Sequence, residues 1–319
     1  MTRIGTSTLD VLPLSLGGNV FGWTADRDES FAILDAFAAG GGDFIDTADS
    51  YSAWVPGNSG GESETIIGAW LASRRPQNVV VATKVSQHPE FTGLRGATVR
   101  AAAEASLARL GVDAIDLYYA HFDDESVPLE ETVAAFGRLV DDGLVRYTAV
   151  SNYSAERIRE WIRIADELGV ARPVAVQPHY NLVHRNDVEE HIVPVAREFD
   201  LSLVPYFSLA KGFLTGKYRS VDAAGQTSPR AEAAAAYATE QGLAIIDTLE
   251  QVGQAHGVSI AATALAWLRA QPTVAAPIAS ASRVGQVADL LDGARVELTT
   301  DEAAALTSVS QWSPVGASA

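Results

Sequence analysis

The chain contains no cysteine. That absence removes disulfide scaffolds, thiolate-ligated zinc, iron–sulfur clusters and cysteine nucleophiles. No apolar run approaches the roughly 20 residues that a membrane helix needs, and the start, Met-Thr-Arg-Ile, does not read as a secretion signal. Positive charge is scarce as well: 23 Lys and Arg stand against 40 Asp and Glu, a formal charge of −17. A surface this acidic repels phosphate backbones and anionic lipid, so neither nucleic acid nor membrane is expected as a partner. The expectation is a cytoplasmic protein of bacterial type. Lysine is rarest of all. Only Lys84, Lys211 and Lys217 occur, and the other twenty basic residues are Arg. Arg keeps its charge almost everywhere, whereas Lys can shift its pKa and lend its charge to a neighbour, so each of the three lysines is a candidate for chemistry.

What is present is a repeated unit. The 319 residues are 47% apolar and 20% charged, ordinary values for a globular protein. A short β-rich run, a polar loop and an Ala/Leu-rich helical pattern follow one another along the chain. The strand runs fall at 13–17, 43–47, 78–83, 115–120, 145–150, 174–178, 201–206 and 274–278. "VVVAT", "IDLYYA" and "VAVQ" are nearly continuous apolar stretches, as expected for strands covered on both faces of a parallel sheet. Helical patterns lie between them at 28–39, 62–73, 97–109, 128–141, 154–168, 187–199, 239–256, 258–270 and 283–291. The first follows an N-cap at Asp26 or Asp28, and several end on a glycine, such as Gly40, Gly111, Gly143 or Gly169. Eight strands in strict alternation predict an α/β fold: a (β/α)8 TIM barrel in which residues 1–319 form a single domain. The surplus length goes to a β-hairpin over 3–11 that plugs the barrel floor, a long loop over 207–238, and a C-terminal helix and tail over 300–319. An open doubly wound sheet is the alternative, but "LGGNVFGW" after the first strand does not fit its G-x-G-x-x-G fingerprint.

In such a barrel, reactive groups stand where strands end and the following loops begin. The second strand delivers Asp46 at its end and Tyr51 five residues on; the third delivers Lys84; the fourth delivers His121. Each has an ordinary reading by itself: a loop cap, a packing aromatic, a solvated ammonium, a structural imidazole. Together, on consecutive strands, they make chemical sense. A free phenol, with a pKa near ~10, is a poor acid at neutral pH. A neighbouring ammonium favours the phenolate, a carboxylate holds that ammonium in place, and a His can orient a substrate oxygen. The set can protonate a carbonyl oxygen while a hydride attacks the carbon, and the natural hydride donor is a nicotinamide.

With these residues in hand, the chain resembles the aldo-keto reductases over nearly its whole length. "LPLSLGG", "FIDTADSY", "ATKV", the strand-end His121, "VSNYS", "VQPHYNL", "GFLTGKY" and "ASR" with Gln286 occur in that family's order. The resemblance implies the barrel, the tetrad Asp46, Tyr51, Lys84 and His121, and a nicotinamide dinucleotide extended across the rim. It also implies who would hold that cofactor. Gly18 and Asn19 follow the first strand. Ser151, Asn152 and Gln177 would meet the carboxamide, amide pairing with amide, and Tyr206 would stack on the nicotinamide face. Ser208, Leu209, Lys211 and Lys217 belong to the pyrophosphate loop, although Phe207-Ser208 stands where the family has Ser-Pro, and Arg230 adds charge beyond it. Ser280, Ser282, Arg283, Gln286 and Asp289 open the last barrel helix, whose N-terminus suits a phosphate. Arg283 with Ser282 favours NADPH; Asp289 near the ribose would favour NADH. The alternative among proteins of this pattern is a nucleotide-binding redox sensor like the voltage-gated potassium channel β subunits.

Aromatic groups around the rim, Phe21, Trp23, Trp54, Phe91 and Phe122, predict an apolar or ring-faced pocket for a small carbonyl or alcohol substrate. His179, His184 and His191 cluster in sequence, but spacings of five and seven fit a shared metal poorly, so no metal is expected.

Overall fold

A computed structural model describes residues 1–219 and 231–311. Eight strands form one parallel sheet: β1 (Ser15–Gly17), β2 (Phe44–Asp46), β3 (Val80–Val85), β4 (Ile115–Ala120), β5 (Val145–Ser151), β6 (Ala175–Gln177), β7 (Ser202–Leu203) and β8 (Ile278–Ala279). Each pairs with its sequence neighbour, and β8 returns to β1 through Ile278 and Ser15. The lead-in to β8 also meets β7: Leu203 N donates to the Thr273 carbonyl at 2.8 Å, and Ala275 N to the Leu203 carbonyl at 2.9 Å. The sheet is therefore closed on itself, a (β/α)8 barrel, as the alternation predicts.

The period of two along each strand decides which residues face the axis. Phe44, Ala82, Leu117, Tyr119, Ala149, Ala175 and Val204 share one interior cluster. Ile45, Val81, Val150 and Val176 face the surrounding helices instead. Counting on by two from the interior set gives Asp46, Lys84, His121, Ser151, Gln177 and Tyr206. The candidate residues thus stand on the inward phase at the C-terminal rim, because the apolar residues beneath them fix the register. At the other end, Thr2–Arg3 pairs antiparallel with Asp10–Val11, and Ile4, Leu9 and Val11 join the interior cluster. The hairpin closes the floor.

Helices follow most strands near the predicted bounds. Asp26 caps Arg27–Ala39 by accepting from Glu29 N at 2.9 Å. Ser154 caps Ala155–Leu168 by accepting from Arg157 N at 3.3 Å. The expectation of one helix over 187–199 needs correction. A π-turn at Val188–Ile192 passes into a short helix, Val193–Glu198, with Pro194 in its first turn. Proline has no N–H to continue the ladder, and the turn widens there. The loop over 207–238 contains a short helical turn, Ala210–Thr215, and a helix at Ala231–Ala235. After the barrel comes the helix Thr300–Val309, capped by Thr299. Among the described residues, no helix is long and apolar enough to cross a membrane.

Candidate active site

The strand ends open into a cleft of about 1200 Å³. Beneath it stands Lys84, with no solvent exposure. Its Nζ donates to Asp46 Oδ2 at 2.7 Å, to the Thr47 carbonyl at 2.6 Å and to Tyr51 Oη at 3.0 Å. All three protons of the ammonium thus have acceptors. Asp46 is held in turn, for Gln177 Nε2 donates to its Oδ1 at 2.9 Å. Burial pushes the Lys84 ammonium below its usual pKa, and the Asp46 carboxylate opposes that shift. A buried ion pair survives only when its remaining hydrogen-bonding capacity is met, and here it is. Nothing in the sequence pattern announces the Thr47 contact, because a main-chain carbonyl carries no residue signature.

His121 follows β4 directly, and its ring centroid lies 6.2 Å from that of Tyr51. Burial, and then the Lys84 charge, hold its imidazole well below the usual pKa, so the ring is neutral at pH 7. Asp46, Tyr51 and His121 all line the cleft. The structure therefore brings the four expected residues into one group.

The residues expected around the cofactor also converge. Asn19, Ser151, Asn152, Gln177, Tyr206, Ser208, Leu209, Lys211, Lys217, Ser280, Ser282, Arg283, Gln286 and Asp289 line the same cleft. Many already bond to one another. Tyr206 Oη donates to Asn152 Oδ1 at 2.7 Å, and Asn152 Nδ2 to the His121 carbonyl at 2.9 Å. Asn152 adopts a φ of 58° to do so, a conformation that asparagine tolerates well. Ser151 Oγ donates to the Gln177 carbonyl at 2.9 Å, and Ser280 Oγ to Asn19 Oδ1 at 2.7 Å. After β7, Phe207, Ala210, Lys211 and Gly212 all have positive φ, which bends the loop tightly under the two lysines. After β8, Ser282 N and Arg283 N donate to Gln286 Oε1 at 2.9 and 3.2 Å, so Gln286 caps that helix start.

Other expected residues stand elsewhere. Gly18 directly follows β1 and is buried, and a Cβ there would come within 2.8 Å of Ser63 Oγ; its smallness permits packing. Phe21 has no exposure and belongs to the core between barrel and helices, so it is not part of the rim. Phe91 packs against His88 at 5.1 Å and does not line the cleft. Trp54 and Phe122 do line it, at 51% and 42% exposure. Trp23 reaches it through an edge contact with Trp54 at 5.6 Å. Arg230 lies outside the described residues. Sequence reasoning did not single out Thr24, Phe207, Tyr218 and Ser259, which also line the cleft. Phe207 could have been found as the residue that departs from Ser-Pro; Ser259 reads only as the helix cap it also is. Among the described residues no group of three or more His, Asp or Glu side chains could hold a metal.

The donor set fits a dinucleotide. Amide and hydroxyl side chains at the ends of β5 and β6 suit a carboxamide, two ammonium groups after β7 suit a diphosphate, and a guanidinium with a hydroxyl after β8 suits a further phosphate.

Comparison with known proteins agrees. The aldo/keto reductase family model matches residues 13–311. A probable voltage-gated potassium channel subunit beta from Oryza sativa subsp. japonica is 32% identical over 297 residues, covering 90% of this chain and 88% of the relative. An uncharacterized oxidoreductase, YrpG, from Bacillus subtilis is 31% identical, covering 93% and 91%. The aldo-keto reductase str7 from Strobilurus tenacellus is 30% identical, covering 99% and 90%. The closed barrel, the residues gathered at its rim and a family match spanning nearly the whole sequence lead to one conclusion: the chain belongs to the aldo/keto reductase family and is an NAD(P)H-dependent oxidoreductase.

Proposed function

We propose that the protein reduces an aldehyde or ketone to an alcohol, reversibly, with NADPH as the preferred cofactor and Tyr51 as the proton donor. One observation carries this reading: the buried Lys84 ammonium bridges Asp46 and the Tyr51 phenol at the floor of a cleft large enough for cofactor and substrate. When bound, the reduced nicotinamide supplies the hydride. Tyr51 gives its phenolic proton to the carbonyl oxygen. Lys84, 3.0 Å from the phenol oxygen, stabilises the charge that forms there. Asp46 fixes Lys84 in place, and Gln177 fixes Asp46. His121, neutral, orients the carbonyl through a ring nitrogen. The Lys211 and Lys217 ammonium groups hold the diphosphate, and Ser282 and Arg283 read the 2′-phosphate.

A second reading is the alternative raised by the sequence resemblance, a nucleotide-binding redox sensor whose bound cofactor sets its affinity for a partner; the rice relative is named a probable voltage-gated potassium channel subunit beta. Turnover separates the two. With NADPH and 4-nitrobenzaldehyde, the reductase reading expects steady loss of the reduced-nicotinamide absorbance over many cycles. A single stoichiometric oxidation, or none with any carbonyl in a broad panel, contradicts it.

A further inference from the structure

A short stack of flat rings stands behind the cleft. His179 follows β6, and the Tyr206 ring stacks on it at 5.4 Å between centroids. The His184 ring stacks on His179 at 3.9 Å, with 8° between the planes. A tight turn builds this arrangement: Asn181 and His184 exchange main-chain hydrogen bonds at 3.2 and 3.0 Å, and Asn181 Oδ1 accepts from Val183 N at 2.9 Å. Asn181 Nδ2 donates to the Phe207 carbonyl at 2.9 Å and lies 3.3 Å from His179 Nε2. The turn after β6 and the loop after β7 are thereby tied together. Tyr206 lines the cleft, His179 is half-buried and His184 is exposed. The stack runs from the cofactor cleft to solvent, and none of the chemistry proposed above uses its two imidazoles.

The oxidised nicotinamide ring is a cation, whereas the reduced ring is neutral. A neutral, electron-rich ring stack favours a cation; an imidazolium in the same stack repels it. We propose that the His179–His184 pair determines how the site discriminates oxidised from reduced cofactor, favouring the oxidised form while both rings are neutral and penalising it once His184 takes up a proton. This rests on the reading that Tyr206 stacks on the nicotinamide.

The surrounding charges agree with neutral rings at pH 7. Burial, His184 and Lys211 push His179 down to about 4. Burial lowers His184, and Asp187 opposes that shift. His179, held at about 4, stays neutral as the pH falls to 5.5, so His184 is the member that takes up the proton. On the opposite side of the cleft the groups that could contribute are Asp46, Tyr51, Lys84 and His121, and across the β7 loop Lys211.

The test measures dissociation constants of NADP⁺ and NADPH by intrinsic fluorescence of the full chain between pH 5.5 and 8. Their ratio cancels whatever the two forms share, including titration of the 2′-phosphate. A unit charge about 12 Å from another, at an effective dielectric constant of roughly 20–40, changes an affinity about three- to tenfold. The wild-type ratio of NADP⁺ to NADPH dissociation constants is expected to rise about threefold toward pH 5.5. His184→Phe keeps a flat ring without the proton, and its ratio stays level. A level wild-type ratio overturns the proposal, and so does an equal rise in His184→Phe, which would place the charge on His121 or another group. Tyr206→Ala separates the two layers of the argument: if both nucleotides bind it as they bind wild type, the stacking reading itself fails. If Tyr206→Ala weakens binding while the wild-type ratio stays level, only the histidine proposal fails.

Discussion

Lys84 occupies a place where a lysine is costly. It is fully buried, at the end of an apolar strand, and is tolerable there because carboxylate, carbonyl and phenol each accept one of its N–H hydrogen bonds. Arg has a planar fork in place of a compact tetrahedral ammonium, so it cannot reach the same three acceptors. Lys84→Arg should therefore lose turnover nearly as severely as Lys84→Met, by roughly 10² or more if the proton transfer is compromised, while nucleotide binding is retained. An Arg variant with near-normal kcat would refute the tuning role. Asp49 makes a different residue-scale prediction. Its carboxyl is fully buried and neither oxygen makes a well-formed hydrogen bond among the described residues, although the Ser50 main-chain N–H faces it. Burial, and then the Glu64 charge, push its pKa well above the usual value, with Arg109 opposing. Between the unfolded value near ~3.9 and the raised folded value, the folded protein holds more protons, so this group lowers stability as pH rises through that window. Asp49→Asn should match wild type in denaturant stability near pH 4 and exceed it at pH 8; a variant weaker at pH 8 would show the carboxylate to be paired. The four rim residues were legible in the sequence because each has a distinctive chemistry and stands at a strand end. Asp49 was not: within "DTADSY" it looks like any polar loop residue, and only packing reveals that it is enclosed.

At the scale of elements, all eight strands lie within the predicted runs or overlap them, because buried parallel strands write themselves as apolar runs. Over 187–199 the helical periodicity survives a π-turn, so the pattern hides the break that Pro194 marks. An aromatic after a strand does not say which way it turns, so the pattern puts Phe21 and Phe91 at the rim; Phe21 turns into the core that also holds Phe37 and Trp70. Helix crossings are set by residues with no visible signal at all. Gly68 lies where the helix Glu62–Arg74 crosses the helix Gly96–Leu110, and a Cβ there would fall 2.1 Å from the Arg109 carbonyl oxygen. Main chain cannot yield as a flexible side chain can. Gly68→Ala should lower stability by about 1–3 kcal/mol, as overpacking generally does, read as a shift in the urea midpoint. An unchanged midpoint would mean that the two helices separate freely.

On the scale of the whole molecule, the charge of −17 contrasts with the location of the lysines: Lys211 and Lys217 line the cleft and Lys84 lies beneath it. Lys84 is neutralised by Asp46, but Lys211, Lys217 and Arg283 place three cationic side chains on the cleft lining, and local positive charge raises the capture rate of an anionic ligand and loses force with salt. If Arg283 meets the 2′-phosphate, Arg283→Ala should weaken NADPH about tenfold or more, the worth of a charge-assisted hydrogen bond, and hardly change NADH. Equal weakening of both, by titration of each nucleotide, would make Arg283 structural, and a wild-type preference for NADH would point to Asp289. The central claim concerns the group at the barrel mouth, and one comparison tests it most directly: NADPH affinity and steady-state reduction of 4-nitrobenzaldehyde, measured side by side for wild type and Tyr51→Phe. Removing only the phenolic oxygen should leave nucleotide affinity unchanged and reduce turnover by about 10²–10⁴, the usual contribution of general acid catalysis. Turnover close to wild type in Tyr51→Phe would contradict the account.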